Sequence, residues 1–214
     1  MKPLSKLKIK WSSEFAYAIG LLTTDGNLSI DGRHISFSSK DKELVEKIKY
    51  CLNLSNKITR KARGGEIKKK YYLIQFGDVN FYHFLLKIGL MPNKSKILSQ
   101  VFVPDEYFFD FLRGHFDGDG TCYSYWDPRW RSSYMYYLVF LSASKKHILW
   151  LRRKIKNLVG VRGHITGDGQ NVVFQLKYAK KESNKIIQRL YYQNCICLER
   201  KLLKIQRILS IINQ

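Results

Sequence analysis

Acidic side chains are scarce in this chain of 214 residues: 17 Asp and Glu stand against 38 Lys and Arg, a formal net charge of +21 at pH 7. A surface so poor in negative charge attracts a polyanion, and nucleic acid is the first partner it implies. Long apolar runs are missing as well. The longest mostly apolar stretch, Tyr134 to Ala143, falls well short of the ~20 residues a membrane-spanning helix needs, so no membrane partner is expected. Lys2, Lys6, Lys8 and Lys10 precede the apolar Phe15 to Leu22 in the manner of a secretory signal, yet no small-residue cleavage site follows. Cysteine is sparse: Cys51, Cys122, Cys195 and Cys197 include no C-x-x-C pair to hold zinc or run thiol exchange. The expectation is reduced thiols in an intracellular protein, of the cytoplasm, nucleoid or an organelle. Phosphate-loop and zinc-protease motifs are absent. With 45% apolar and 14% aromatic residues, a disordered chain is excluded.

What is present is a repeat. Residues 15 to 26 read FAYAIGLLTTDG and residues 109 to 120 read FDFLRGHFDGDG, each with Phe first, Gly sixth, Asp eleventh and Gly last. Asp25 and Asp119 are counterparts. ISFSSKDKELVEKIKYCL after the first motif matches VFLSASKKHILWLRRKIKNL after the second, each a strand-like run leading into an amphipathic helix pattern. YYLIQF (71 to 76) matches NVVFQL (171 to 176); both runs end near Gln75 and Gln175 and lead into helix-like segments, Val79 to Ile88 and Lys180 to Tyr191. Each half therefore reads helix, two strands, helix, two strands, helix. Dividing at Pro104, into 1–104 with the connector and 105–214, leaves +11 and +10, so two equivalent basic surfaces are expected rather than a basic tail. Met91 to Asp105, with Pro92 and Pro104 near its ends, is the expected connection.

Phe15, Ala18, Ile19 and Leu22 recur at helical spacing, as do Phe108, Phe111, Leu112 and Phe116, so each motif reads as a helix ending at Asp-Gly, with Gly26 and Gly120 as caps. Gly20 and Gly114 fall inside these helices, where glycine costs ~1 kcal/mol relative to alanine. A close crossing of the two helices would offset that cost. A carboxylate at a helix C-terminus faces the wrong end of the macrodipole, and a bound cation would relieve it. If the helices cross through their glycines, Asp25 and Asp119 converge as hard oxygen ligands suited to Mg²⁺ beside substrate phosphates. The plainer reading makes both Asp-Gly pairs turns.

AIGLLTTDG (18 to 26) and LRGHFDGDG (112 to 120) resemble the two motifs of a single-chain LAGLIDADG homing endonuclease. PNKSKIL (92 to 98), VPDEYFFDFLRGHFDGDGT (103 to 121) and ICLERKLLKI (196 to 205) resemble flanking segments of that family. The resemblance implies an α+β fold of two pseudo-symmetric αββαββα units, with two antiparallel sheets forming a DNA-binding saddle. It implies a monomer that makes a double-strand break at a long, partly asymmetric site in double-stranded DNA. Asp25 and Asp119 would bind two or more Mg²⁺ ions, with Mn²⁺ or Ca²⁺ as substitutes in binding, and each would serve one strand. No backbone ligand is assigned. The sixth motif position is Thr23 in one half and Asp117 in the other, and His115 replaces an apolar residue. The strand positions matched to water-positioning glutamines carry Ser39 and Ala143.

Lys94 and Lys201 are the candidate catalytic lysines, since a nearby cation would stabilise developing phosphate charge; the alternative is a solvated or DNA-backbone-contacting lysine. Gln75 and Gln175 lie in expected strands, where glutamine reads adenine, although alternation equally allows the helix-packed side. Arg60, Lys61, Arg63, Lys68, Lys69 and Lys70 flank Gly64-Gly65 in an expected basic hairpin. Tyr123, Tyr125, Trp126, Arg129, Trp130 and Arg131 form an aromatic and basic loop also expected to face DNA, while Tyr134, Tyr136 and Tyr137 include core strand residues.

Competing readings fail on context. FDGDGT (116 to 121) copies a phosphatase D-x-D-x-T segment, but a helical pattern precedes it and Thr23 stands where the first repeat needs its nucleophile. An EF-hand is excluded by Cys122 and Pro128 at required positions. The serious alternative is a non-cleaving binder on the same scaffold, either a DNA-binding regulator or a maturase whose partner is intron RNA. Retention of both Asp25 and Asp119, which repel phosphate, favours a nuclease.

Overall fold

The structure, a computed structural model, describes residues 7–62, 68, 70–167 and 173–212. The first half runs α1 (Ser13–Asp25), β1 (Gly26–Leu28), β2 (His34–Ser39), α2 (Lys42–Cys51), β3 (Thr59–Lys61), β4 (Tyr71–Gly77) and α3 (Val79–Lys87). The second repeats it as α4 (Phe108–Asp119), β5 (Thr121–Trp126), β6 (Tyr134–Ser142), α5 (Lys145–Val159), β7 (His164–Gly167), β8 (Phe174–Ala179) and α6 (Lys180–Leu190), then adds α7 (Glu199–Ile212). The element order read from the sequence holds in both halves. It did not include α7, and β8 continues past Gln175 to Ala179.

Each half forms one antiparallel four-stranded sheet, ordered β1-β2-β4-β3 and β5-β6-β8-β7. Alternation sorts the faces: Ile35, Phe37, Ile74 and Phe76 are buried under helices in the first sheet, as are Leu138, Phe140, Leu176 and Tyr178 in the second. The opposite faces are open. No described helix is long and apolar enough to cross a membrane, and all four cysteines are free thiols.

The sheets are joined by α1 crossing α4. A methyl group added at Gly20 would lie 2.1 Å from the Phe111 carbonyl oxygen, and one at Gly114 would lie 2.1 Å from that of Tyr17. Only glycine at both positions lets two backbones touch, which answers the helix-propensity cost. Gly26 and Gly120 do cap the helices, both with extended backbone (φ −77° in each) rather than the left-handed conformation common for glycine there. They are required for space: a Cβ would strike the Leu22 carbonyl oxygen at 2.5 Å and the Phe116 ring at 2.3 Å.

The connector between the halves is pinned rather than loose. Ser144 Oγ donates to the Leu98 carbonyl at 2.5 Å, and His147 Nδ1 lies 2.7 Å from the Ser99 carbonyl. Leu98, Val101 and Val103 enter the core. Helix caps fix the register between halves. Asp41 precedes α2 and Ser144 precedes α5, so Ser39 corresponds to Ser142 and Ala143 to Lys40, correcting the Ser39–Ala143 match.

Candidate metal and nucleic-acid site

Asp25 and Asp119 are the last residues of α1 and α4 and lie where the crossed helices enter β1 and β5. Their neighbours touch: a Cβ on Gly118 would lie 2.0 Å from Thr24 Oγ1, and Thr24 and Gly118 are equivalent motif positions. Asp25 is half-buried and Asp119 exposed. Burial, then the Asp119 charge, push Asp25 up to about 7, while Lys94 and Lys201 pull it down. Loss of solvent also raises Asp119, with Lys201 and then Lys94 opposing. Among the described residues neither carboxylate accepts a hydrogen bond or an ion pair. Two unpartnered oxygen-donor groups at the negative ends of two helices fit a hard divalent cation. No cluster of three or more His, Cys, Asp or Glu occurs among the described residues, so such an ion would draw its other ligands from water, backbone or substrate.

Lys94 and Lys201 reach the same place from opposite halves. Lys201, at the start of α7, donates to the carbonyls of Phe116 (2.6 Å), Asp117 (2.9 Å) and Gly120 (2.6 Å). Lys94, on a 3₁₀ turn (Lys94–Lys96), donates to the Gly26 carbonyl. Both are buried, and desolvation lowers each to about 8 against the pull of nearby carboxylates. Neither is a solvated lysine. They hold the C-terminal ends of the motif helices, and all three N–H donors of Lys201 are used by backbone. A cleft of about 370 Å³ opens beside them, lined by Thr23, Thr24, Lys94, Asp119, Ser142 and Ala143. Thr24 and Ser142 were not foreseen, although Thr24 adjoins a motif acid. A larger cleft, about 510 Å³, lies at the other end of α1 among Leu7, Trp11, Phe15 and Tyr107 and holds no carboxylate.

Register settles the strand glutamines. Gln75 pairs with Ser36 and alternates with buried Ile74 and Phe76, so it is on the open face. Gln175 alternates with buried Leu176 and Tyr178 and faces the same way in its own sheet. Lys61 pairs with Tyr71 on the open face, whereas Arg60 pairs with Tyr72 on the helix-packed side, its guanidinium 4.2 Å from the Tyr72 ring centroid. Arg60 is thus turned away from the face to which the sequence assigned it, because strand alternation separates it from Lys61. Lys68 and Lys70 are exposed beside β4; Arg63, Lys69 and the Gly64-Gly65 turn lie outside the described residues. Tyr125 is on the open face of β5 and stacks on Tyr137, which also stacks on Tyr123. Arg129 and Arg131 are exposed on the β5–β6 loop, Arg129 bending back toward Asp127 at 3.4 Å.

Two crossed helices that end in paired acids, each feeding a four-stranded antiparallel sheet, define the two-repeat LAGLIDADG fold. Residues 12–89 match the family described as LAGLIDADG-like domain, and the whole chain has the fold of single-chain LAGLIDADG homing endonucleases. It is similar to the I-LtrWI LAGLIDADG homing endonuclease bound to target DNA: 14% identity, TM-score 0.62, covering 94% of this chain and 90% of that one. Mesophilic variants of the homing endonuclease I-DmoI match at 17% identity and TM-score 0.55, over 83% of this chain and 94% of theirs. The N-terminal LAGLIDADG domain of DUF199/WhiA matches at 20% identity and TM-score 0.57, over 92% and 88%. No curated protein matches the chain.

Proposed function

We propose that this protein is a divalent-metal-dependent endonuclease that makes a double-strand break at a long, partly asymmetric site in double-stranded DNA. The observation that carries the proposal is the pair Asp25 and Asp119, without a hydrogen-bond or ion-pair partner among the described residues and drawn together with Lys94 and Lys201. Asp25 and Asp119 would hold Mg²⁺, which supplies an activated water and neutralises charge on the leaving oxygen. The homing endonuclease I-DmoI, which shares this fold, has been crystallised with DNA and Mn or Ca, which supports a divalent ion.

The two open faces would lie along the duplex as a saddle. Gln75, Lys61 and Gln175 would reach into grooves, while Lys68, Lys70, Arg129 and Arg131 would meet phosphates. Lys94 and Lys201 would act from their backbone tethers, fixing where the acids stand and lowering the repulsion between carboxylates and scissile phosphate.

A non-cleaving binder remains the second reading, because the WhiA domain matches as well as the endonucleases do. Cleavage of a plasmid carrying the intron-free insertion locus, with Mg²⁺ present, separates the two. Asp25→Asn or Asp119→Asn should lower double-strand cleavage at least 100-fold while leaving DNA affinity within about threefold, scales typical of losing a charge-stabilising group. Undiminished cutting by either variant overturns the nuclease assignment; intact binding with no cutting by the wild type supports the binder.

A further inference from the structure

The saddle leaves part of the positive charge unexplained. The helices on the back of the second sheet are far more basic than their counterparts on the first. α5 carries six cations and no acid, and α6 carries four cations and one acid; together they hold +9, against +2 for α2 and α3. The two halves do equivalent work through their sheets, so the first half serves as an internal control for what that work requires.

Local pairing sharpens the contrast. In α2 the cations are neutralised along the helix: Lys42 pairs with Glu46 and Lys47 with Glu43, both at 2.8 Å. In α5 and α6 the same i, i+4 spacing sets like charges together, Arg152 with Lys156 and Lys181 with Lys185, which weakens a helix. Glu182, the one acid, is occupied by the backbone amides of Arg162 (3.0 Å) and Gly163 (3.2 Å). Arg152 donates to the Arg162 carbonyl at 3.0 Å, so the turn after α5 joins both helices into one surface. Arg153, Lys156, Arg162, Lys181 and Lys185 are exposed there and have no acidic partner among the described residues.

We infer that this helical back is a second nucleic-acid surface, and that its occupant is the phosphate backbone of a second segment of duplex DNA. The inference rests on the saddle taking the first segment. Among the described residues of α5 and α6 no aromatic side chain is exposed, so the stacking platform that single-stranded nucleic acid uses is missing. Lysine and arginine alone read phosphate, not sequence. Such a site would hold the protein on non-target DNA while the saddle samples another stretch, a route to transfer between segments.

The test uses short duplexes of unrelated sequence, one immobilised and one fluorescent, at low salt and without Mg²⁺. Wild-type protein on the first duplex should capture the second, with a log-log salt slope no steeper than about −4.5, at 0.9 for each of the five exposed cations. Arg153→Gln/Lys156→Gln/Lys185→Gln should reduce capture at least tenfold and change binding of the first duplex less than twofold. Its Tm should be equal or higher, since like charges have been separated. Lys42→Gln/Lys47→Gln should leave capture unchanged. Undiminished capture by the triple variant, or a wild type that binds one duplex and never a second, overturns the inference while the saddle stands. A wild type that binds no duplex removes both readings, and a tenfold preference of the back for an RNA duplex would overturn the assignment to DNA.

Discussion

Superposing the halves by motif shows that α4 is built differently from α1 although both end at a paired acid. Where α1 buries Ile19, Leu21 and Thr23, α4 buries Arg113, His115 and Asp117 at the same positions. Arg113 donates to the carbonyls of Ile196 (2.7 Å) and Leu190 (2.7 Å) and to Asp110 (2.6 Å). Asp117 accepts from the Tyr17 hydroxyl (2.8 Å) and the Leu198 amide (2.6 Å). Leu190 ends α6, and Ile196 and Leu198 belong to the segment that leads into α7, the helix with no counterpart in the first half. The second half carries more buried polarity because it must anchor a longer path to its lysine; Lys94 needs only a tight turn after Asn93 (φ 54°).

The largest effect should test what the halves share. Gly20→Ala and Gly114→Ala each force a methyl group to 2.1 Å from a carbonyl oxygen, and each should cost about 3 kcal/mol or more, the upper end for overpacking. Urea denaturation measures both. Equal losses are expected; a loss confined to one glycine would show that the crossing is not symmetric.

Next is a property of the second half alone. His115 and His147 stack at 5.2 Å, both fully buried, where the first half has Leu21 and Leu44. Burial holds His115 well below the usual imidazole range and His147 near about 4, with the neighbouring imidazole and Lys94 adding to the effect. The unfolded chain therefore binds more protons than the folded one as pH falls below 6.5, so stability is full above that value and is lost toward pH 4. His147 alone should account for on the order of 3 kcal/mol at the acid end, at 1.36 kcal/mol per pH unit. His115→Leu/His147→Leu should flatten the pH dependence of urea stability between pH 7 and 4.5. An unchanged slope would place the acid sensitivity elsewhere.

The smallest effect concerns the open faces. The first presents Asn27, Ser36 and Gln75, and the second presents Tyr123, Tyr125, Tyr137 and Leu141 around Gln175. Polar groups discriminate bases by hydrogen bonding, whereas tyrosines supply contact area. Gln75→Ala should cost about 1–3 kcal/mol against one base pair of the site and relax preference there. Tyr137→Ala should weaken binding by a similar amount across sequences. Binding measured on a panel of single-base variants separates these outcomes; uniform loss for Gln75→Ala would remove its reading role.

Much of this was legible in sequence because it is periodic or repeated. Helical spacing around Phe15 and Phe108, the duplicated Asp-Gly ends and the alternating strands all leave local patterns, and Gly20 and Gly114 announced the crossing. Strand order did not follow, since alternation does not say which strand lies beside β4. The tethers of Lys94 and Lys201 were also hidden: a lysine bound to distant carbonyls looks like any other lysine in a chain of 38 cations. Arg60 was misplaced for want of register, and the buried roles of Arg113 and His115 could not be read because burial of a polar residue depends on partners some 30 to 80 residues away.

The pinned connector makes the first acid answerable to the second half. The peptide that delivers Lys94 to the end of α1 continues straight into a segment bolted to α5 by Ser144 and His147. Removing residues beyond Pro104 would leave that lysine on an unanchored strand, its grip on Gly26 no longer enforced. The N-terminal repeat thus borrows its rigidity from its successor.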